Sequence, residues 1–313
     1  MKEIVIISGK GGTGKTSIAA SFASLAAGKA VFADCDVDAA DLHLILKPTI
    51  RNRTEFRSGH KACINPTKCT GCGKCTEVCR FEAVRDGTTW DAYPGIAYSI
   101  DSVACEGCGV CVRFCPPHAI DFNEEICGEW FVSDTRFGPM VHAKLGIASE
   151  NSGRLVTLVR NEAKRIAQEK GVEYVLIDGS PGIGCPVIAS LTAASLALIV
   201  TEPTVSGNHD LRRIAGLAKR LGIPAMVCVN KWDINPQKTE EIKTFSQSHG
   251  LTFAGLIRYD RIATTAQRSE KSIMEFPESE IASDIKSLWE KVNNEDVDAV
   301  VQSSIRRPDP VRR

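Results

Sequence analysis

Apolar positions in this chain gather in short continuous runs, and the stretches between the runs carry helical spacing. Residues 3–7 (EIVII) form a β-branched apolar run, followed by a glycine-rich turn and by SIAASFASLAAG. The small and apolar residues of that last segment suit a buried helix closed by Gly28. A second run, Ala30 to Ala33, ends in Asp34-Cys35-Asp36-Val37-Asp38. These acids are expected at the carboxyl end of a second parallel strand. Much later, Ser152 caps a predicted helix through Gln168, with Leu155, Val156, Leu158, Val159, Ala163, Ile166 and Ala167 on one apolar face. Tyr174 to Ile177, Leu196 to Val200, Ala225 to Val229 and Phe253 to Ile257 read as buried strands. Helices are predicted between them over Leu211 to Leu221 and Thr239 to His249. Ile281, Ile285, Leu288, Trp289 and Val292 mark one further amphipathic helix, whose polar face has little positive charge and so fits core packing better than a membrane surface. The alternation predicts an α/β fold with a doubly wound, mostly parallel sheet.

Between the second and third runs the periodicity gives way to cysteine, glycine and proline, and the sequence repeats itself. KCTGCGKCTEVCRFEAV at Lys68 recurs as ACEGCGVCVRFCPPHAI at Ala104, an offset of 36 residues. The predicted organisation is a discontinuous nucleotide domain at 1–57 and 123–300, an inserted small α+β domain at 58–122, and a disordered tail at 301–313.

Composition narrows the setting. Lys plus Arg and Asp plus Glu both total 38 in 313 residues, so bulk charge points neither to nucleic acid nor to an anionic membrane. The apolar run near the start is too short for a signal-peptide core, and no membrane insertion is expected. Thirteen cysteines without an export signal, eight of them in two tight groups, favour metal in a reducing, cytoplasmic compartment over disulfides.

Gly9-Lys10-Gly11-Gly12-Thr13-Gly14-Lys15-Thr16 fits G-x-x-x-x-G-K-[ST], directly after a predicted strand and before a predicted helix. In that context backbone N–H groups converge on phosphate oxygens, Lys15 reaches the β- and γ-phosphates, and Thr16 offers its hydroxyl to Mg²⁺. Lys10 adds a second lysine. KGGTGKT resembles the deviant phosphate loop of the MinD/ParA/Mrp and nitrogenase iron protein class. By that resemblance Lys10 reaches the nucleotide of the facing subunit, which implies an ATP-dependent homodimer. The resemblance also makes Asp36 the residue that orients the attacking water, with Asp34, Asp38 and Asp41 as rivals. Val175-Leu176-Ile177-Asp178 running into Gly179-Ser180-Pro181-Gly182 resembles the class's Walker B and switch II segment. Asp178 is then expected to hold Mg²⁺, and Gly182 to bring its N–H to the γ-phosphate. Asn230 resembles the adenine-contacting asparagine, and Arg258-Tyr259-Asp260 a second base-lining loop. Because NKWD also resembles the guanine-reading NKxD of GTPases, Asp233 keeps GTP open beside ATP.

The spacing Cys69-x₂-Cys72-x₂-Cys75-x₃-Cys79, repeated at Cys105, Cys108, Cys111 and Cys115, resembles a bacterial ferredoxin with two [4Fe–4S] clusters. The fourth cysteine then serves the other cluster. Cys69, Cys72, Cys75 and Cys115 hold one, and Cys105, Cys108, Cys111 and Cys79 hold the second. Two structural zinc sites are the competing assignment. Arg80 stands where proline follows the fourth cysteine in such proteins, so the two potentials are expected to differ. Cys185, seven residues after Asp178, matches one cysteine with which the nitrogenase iron protein bridges subunits, but its companion near Glu150 or Asn151 is missing. No CxxC follows the module, a departure from the cluster-carrying Mrp branch.

The whole chain resembles MinD-superfamily ATPases with an inserted ferredoxin domain. That implies a nucleotide-gated electron carrier using ATP, Mg²⁺ and two [4Fe–4S] clusters, with an unidentified redox or client protein as partner. Two other functions compete: an iron–sulfur assembly or metallochaperone ATPase, and a redox-sensing positioning ATPase of the cell-division or partition type.

Overall fold

The computed structural model describes residues 1–87, 97–146 and 152–295. The strands are β1 Lys2–Ser8, β2 Ala30–Asp34, β3 Thr49–Ile64, β4 Val84–Asp86, β5 Tyr98–Ile100, β6 Ile120–Asp134, β7 Pro139–Leu145, β8 Tyr174–Pro181, β9 Leu196–Thr201, β10 Ala225–Asn230 and β11 Thr252–Ile257. The helices are α1 Lys15–Leu25, α2 Leu42–Leu46, α3 Lys74–Val78, α4 Val110–Arg113, α5 Ser152–Lys170, α6 Cys185–Leu191, α7 Val205–Arg220, α8 Pro236–Ser248, α9 Arg261–Arg268 and α10 Glu280–Asn294. The chain divides into two compact units: Met1–Thr54, Trp130–Lys144 and Ser152–Arg313 form the first, Glu55–Glu129 and Leu145–Asn151 the second.

Strand order in the large sheet is β11-β10-β9-β1-β8-β2-β7-β6-β3, and β1, β2, β7, β8, β9, β10 and β11 pair in parallel. The centre of this sheet explains the unbroken apolar runs. Ile4 to Ile7 of β1 and Leu196 to Val200 of β9 are wholly buried because helices cover both faces. On one face Ile4 and Ile6 join Ile18 and Phe22 of α1, Leu42 and Leu46 of α2, and Ile285 and Leu288 of α10 in a single cluster, and Trp289 packs its ring 4.9 Å from Phe22. On the other, α5 and α6 pack together and lie on β2 and β8.

The apolar face expected of α5 is present but is crossed by a buried charge. Arg160 donates to Glu3 at 2.9 Å and to the carbonyls of Ala189 and Thr192 at 2.6 Å, while Lys164 reaches the other Glu3 oxygen at 2.5 Å. Burying these ions is tolerable because each has several partners.

Within the cysteine-rich unit the sequence repeat becomes a structural one. The Asn65 N–H donates to the Ala119 carbonyl at 2.7 Å, and its repeat mate Asp101 donates to the Ala83 carbonyl at 2.8 Å. Ala83 and Ala119 are themselves repeat mates, so the two halves exchange equivalent bonds. Each half opens a short helix with a left-handed glycine, Gly73 before α3 and Gly109 before α4, and leaves it through a left-handed Glu82 or His118. This unit is wider than the stretch 58–122 marked out by composition. Parts of the sequence-stretches discussed above, including the tail 301–313 and the positions near Glu150 and Asn151, lie outside the described residues.

Candidate functional site: a phosphate loop and two cysteine-lined cavities

The loop between β1 and α1 turns through Gly12 and Gly14 at φ 79° and 87°, conformations that favour glycine. Packing adds a second requirement, since a Cβ on Gly9 would collide with Asp210 and one on Gly14 with the amide of Asn230. That amide donates to the Thr13 carbonyl at 2.7 Å, and the Lys231 ammonium lies 3.4 Å from the Gly12 carbonyl. Asn230 and Lys231 thus brace the loop from β10. Sequence reasoning placed Asn230 against a base, whereas here its amide nitrogen holds the loop's backbone.

Three acids and one lysine meet at the loop's inner end, because β1, β2 and β8 are neighbours and all finish on this side. Lys15 Nζ lies 2.9 Å from Asp178 Oδ1 and 3.3 Å from Asp36 Oδ2. Burial disfavours its charge, but Asp178, Asp36 and Asp34 outweigh that and raise its pKa. Asp34 is fully buried and accepts the N–H groups of Asp36 and Leu42. Burial first, then the charge of Asp178, push its pKa well above the usual carboxylate range. Asp36, held partly in solvent, is raised mainly by burial, with Lys15 the main opposing charge and Asp178 adding to the rise. Of the rivals for the water-orienting role, Asp34 is thus a structural acid behind the loop, and Asp36 faces Lys15. Asp178 Oδ2 is buried with no hydrogen-bond partner. An unsatisfied carboxylate oxygen beside the phosphate lysine suits a cation.

The Gly182 N–H, expected at a γ-phosphate, donates instead to the Ser8 carbonyl at 2.9 Å, with Gly182 at φ 94°. Asp233 accepts the Tyr259 N–H at 2.7 Å and so tethers the loop at residues 258–260, while Arg258 is bound to Asp284 at 2.7 Å. Asp233 therefore has one oxygen already committed within the protein.

Glu202 went unnoticed in the sequence. It follows β9, and its carboxylate binds Lys10 Nζ at 3.1 Å and Lys231 Nζ at 2.5 Å. Its one signal was position: β9 pairs with β1 in parallel, so an acid just past β9 falls beside the loop that ends β1.

In the second unit, two small cavities each present four cysteines. Cys69, Cys72, Cys75 and Cys115 wall the first, and Cys79, Cys105, Cys108 and Cys111 the second. Each set draws three cysteines from one repeat and one from the other. Burial raises the Cys75 and Cys111 thiols, and for Cys111 the neighbouring Cys105, Cys108 and Cys79 add to the shift. Ala119 points its N–H at Cys115 Sγ from 3.3 Å. Among the described residues no three His, Cys, Asp or Glu side chains converge on a single-ion site. Four thiols around one cavity form a soft donor set, of a kind that suits iron or zinc. Of the other cysteines, Cys35, Cys127 and Cys228 are buried, whereas Cys63 and Cys185 are exposed.

The sequence profile of the CobQ/CobB/MinD/ParA nucleotide binding domain matches residues 4–273. An uncharacterised protein of Methanocaldococcus jannaschii is 33% identical over 235 residues, 74% of this chain and 79% of its own length. The septum site-determining protein MinD of Pyrococcus horikoshii, solved with Mg-ADP, has a similar fold at a TM-score of 0.56 and 16% identity, covering 94% of this chain and 96% of that one. Cyanothece McdA, solved with ATP, superposes at 0.55 with 14% identity, over 95% and 98% of the two chains. Among the described residues no helix is long and apolar enough to cross a membrane.

Proposed function

Because the chain belongs to the CobQ/CobB/MinD/ParA nucleotide-binding family, we propose that it is an ATP-hydrolysing iron–sulfur protein, a nucleotide-gated electron carrier that works as a homodimer. The observation that carries the iron–sulfur part is the grouping of the eight cysteines around two cavities in crossed sets of four. Cys69, Cys72, Cys75 and Cys115 would hold one [4Fe–4S] cluster and Cys79, Cys105, Cys108 and Cys111 the other, each supplying one-electron redox capacity when bound. The Ala119 N–H directed at the Cys115 sulfur would be a lever on potential.

On the nucleotide side, the loop amides and Lys15 bind and orient the phosphates. Thr16 and Asp178 would hold Mg²⁺, which neutralises phosphate charge. The unpartnered Asp178 Oδ2 is the feature that fits it. Once phosphates draw Lys15 away, Asp36 is freed to hold a water in line with the terminal phosphate. Gly182 would exchange its Ser8 bond for that phosphate, so the segment after β8 reports whether the phosphate is present. The commitment of Asp233 to Tyr259 supports ATP over GTP.

The test is anaerobic purification followed by iron, sulfide and nucleotidase assays. About eight irons and eight labile sulfides per chain are expected, with hydrolysis of ATP lost in Lys15→Ala. Zinc in place of iron, or no acid-labile sulfide, would refute the cluster assignment. A positioning ATPase is the second reading, favoured by fold neighbours that include MinD and a partition protein. It predicts ATP-dependent binding to vesicles or DNA, which an electron carrier does not require.

A further inference from the structure

Three lysines surround the phosphate loop, and each is held by a carboxylate. Lys15 is held by Asp178 and Asp36, both already part of the hydrolytic site. Lys10 and Lys231 share Glu202, one on each carboxylate oxygen. Glu202 has no part in the reaction as described above, yet its backbone is tightly placed. The Thr204 N–H donates to the Glu202 carbonyl at 2.8 Å, and the Thr204 hydroxyl caps α7 by accepting the Gly207 N–H at 3.0 Å. The Thr201 hydroxyl donates to the Gly207 carbonyl at 3.0 Å, and a Cβ on Gly207 would collide with the Glu202 carbonyl oxygen. The turn from Thr201 to Gly207 is therefore rigid, and it aims a carboxylate with 12% exposure at two ammonium groups. Burial pushes this carboxyl upward, but the two lysines more than offset that and keep it below the usual range. Ser206 adds a hydroxyl 3.4 Å from Lys10 Nζ.

A carboxylate and a phosphate oxygen are acceptors of the same kind for an ammonium group. We infer that Glu202 is a positioning residue that competes with the phosphates of ATP for Lys10 and Lys231, keeping both cations in reserve until a polyphosphate draws them over. Lys15 can exchange its acids for phosphate because a metal ion can take over Asp178. Glu202 has no such replacement, and its charge stays beside the loop as a standing cost to anion binding. The inference deepens the nucleotide reading of this loop and rests on it.

The experiment is calorimetric titration of the full chain, purified anaerobically, with the Mg²⁺ complex of a non-hydrolysable ATP analogue. Glu202→Gln, which keeps shape and removes charge, is expected to lower Kd about tenfold. Adding Lys10→Ala and Lys231→Ala to it should abolish that gain. Glu202→Asp, too short to hold both lysines, should tighten binding by a smaller factor and serves if Glu202→Gln fails to fold. Steady-state KM for ATP should fall with Kd, a change that loss of a mere brace would not produce. Unchanged or weaker binding in the substituted chain overturns the inference, as does a gain that survives removal of both lysines. If the unsubstituted chain binds no analogue, the nucleotide reading itself fails, and the two failures are thereby distinguished.

Discussion

Substituting Gly14 by alanine separates the two reasons for glycine in the phosphate loop. At φ 87° an L-residue is strained by about 1–2 kcal/mol. The new methyl would also run into Asn230 Nδ2. Asn230 is 8% exposed, so it has no free space to enter, and moving it breaks its 2.7 Å bond to the Thr13 carbonyl. Leaving that buried donor or acceptor unpaired costs a further ~1–3 kcal/mol. The sum is about 3 kcal/mol, which a domain of ordinary stability survives. Gly12 is the internal control. Its φ is 79°, but a Cβ there meets nothing within 4 Å, so Gly12→Ala should lose only the strain, about 1–2 kcal/mol. Urea unfolding without nucleotide reads both values. The cycle with Asn230→Ala then isolates the collision, because Gly14→Ala should cost about 1–2 kcal/mol less once the amide is gone. Equal losses for Gly12→Ala and Gly14→Ala, or no coupling to Asn230, would refute the reasoning that Asn230 clamps the loop.

Arg160→Ala strips Glu3 of its buried partner and leaves only Lys164, so a loss of about 3–5 kcal/mol in unfolding free energy is expected. Asp34 has a raised folded-state pKa, so its contribution to stability is complete below the ordinary carboxylate pKa and is lost as pH rises through the folded value. Unfolding free energies of Asp34→Asn and the unsubstituted chain, measured from about pH 4 to pH 8, should therefore shift in favour of the variant as pH rises. A variant that instead loses stability relative to the unsubstituted chain as pH rises would contradict the burial argument. Under the proposed crossed ligation, Cys69→Ser and Cys115→Ser are equivalent. Both should leave the same surviving cluster signal by EPR, whereas Cys69→Ser and Cys79→Ser should leave different ones.

The central sheet was legible because its strands are buried on both faces. Apart from the leading Glu3, EIVII, AVFA and LALIV have no polar position to confuse the run, and they match β1, β2 and β9 to within a residue or two. The edge was not. The sixteen residues of β3, TIRNRTEFRSGHKACI, are mostly exposed and bury only Phe56, Ser58 and Ala62, so neither an apolar run nor a clean alternation marks them. In β7 the buried His142 interrupts PMVHAKL and hides a strand whose other buried residues, Met140, Val141 and Ala143, are apolar. The helix after β9 was predicted from Leu211 but begins at Val205, because its first turn is set by the Thr204 cap rather than by apolar residues.

The site divides along similar lines. Loop glycines, Lys15 and the cysteines are marked out by spacing, and Asp36 and Asp178 by resemblance, since phosphate chemistry and the proposed cluster chemistry constrain sequence neighbours. Glu202, Lys231 and Arg160 act on residues 29 or more positions away, and only the parallel pairing of strands brings them there. Asn230 was visible as a residue but not in its structural task. A side chain's own sequence neighbourhood does not reveal which backbone carbonyl it will meet.

The central claim is that the nucleotide governs the clusters, and an anaerobic redox titration of the full chain tests it most directly. The cluster EPR signal would be followed with Mg-ADP and, separately, with Mg²⁺ and a non-hydrolysable ATP analogue. The account predicts midpoint potentials that differ between the two nucleotides, with the difference abolished in Lys15→Ala. Identical potentials, together with identical affinity for a redox partner in both nucleotide states, would contradict it.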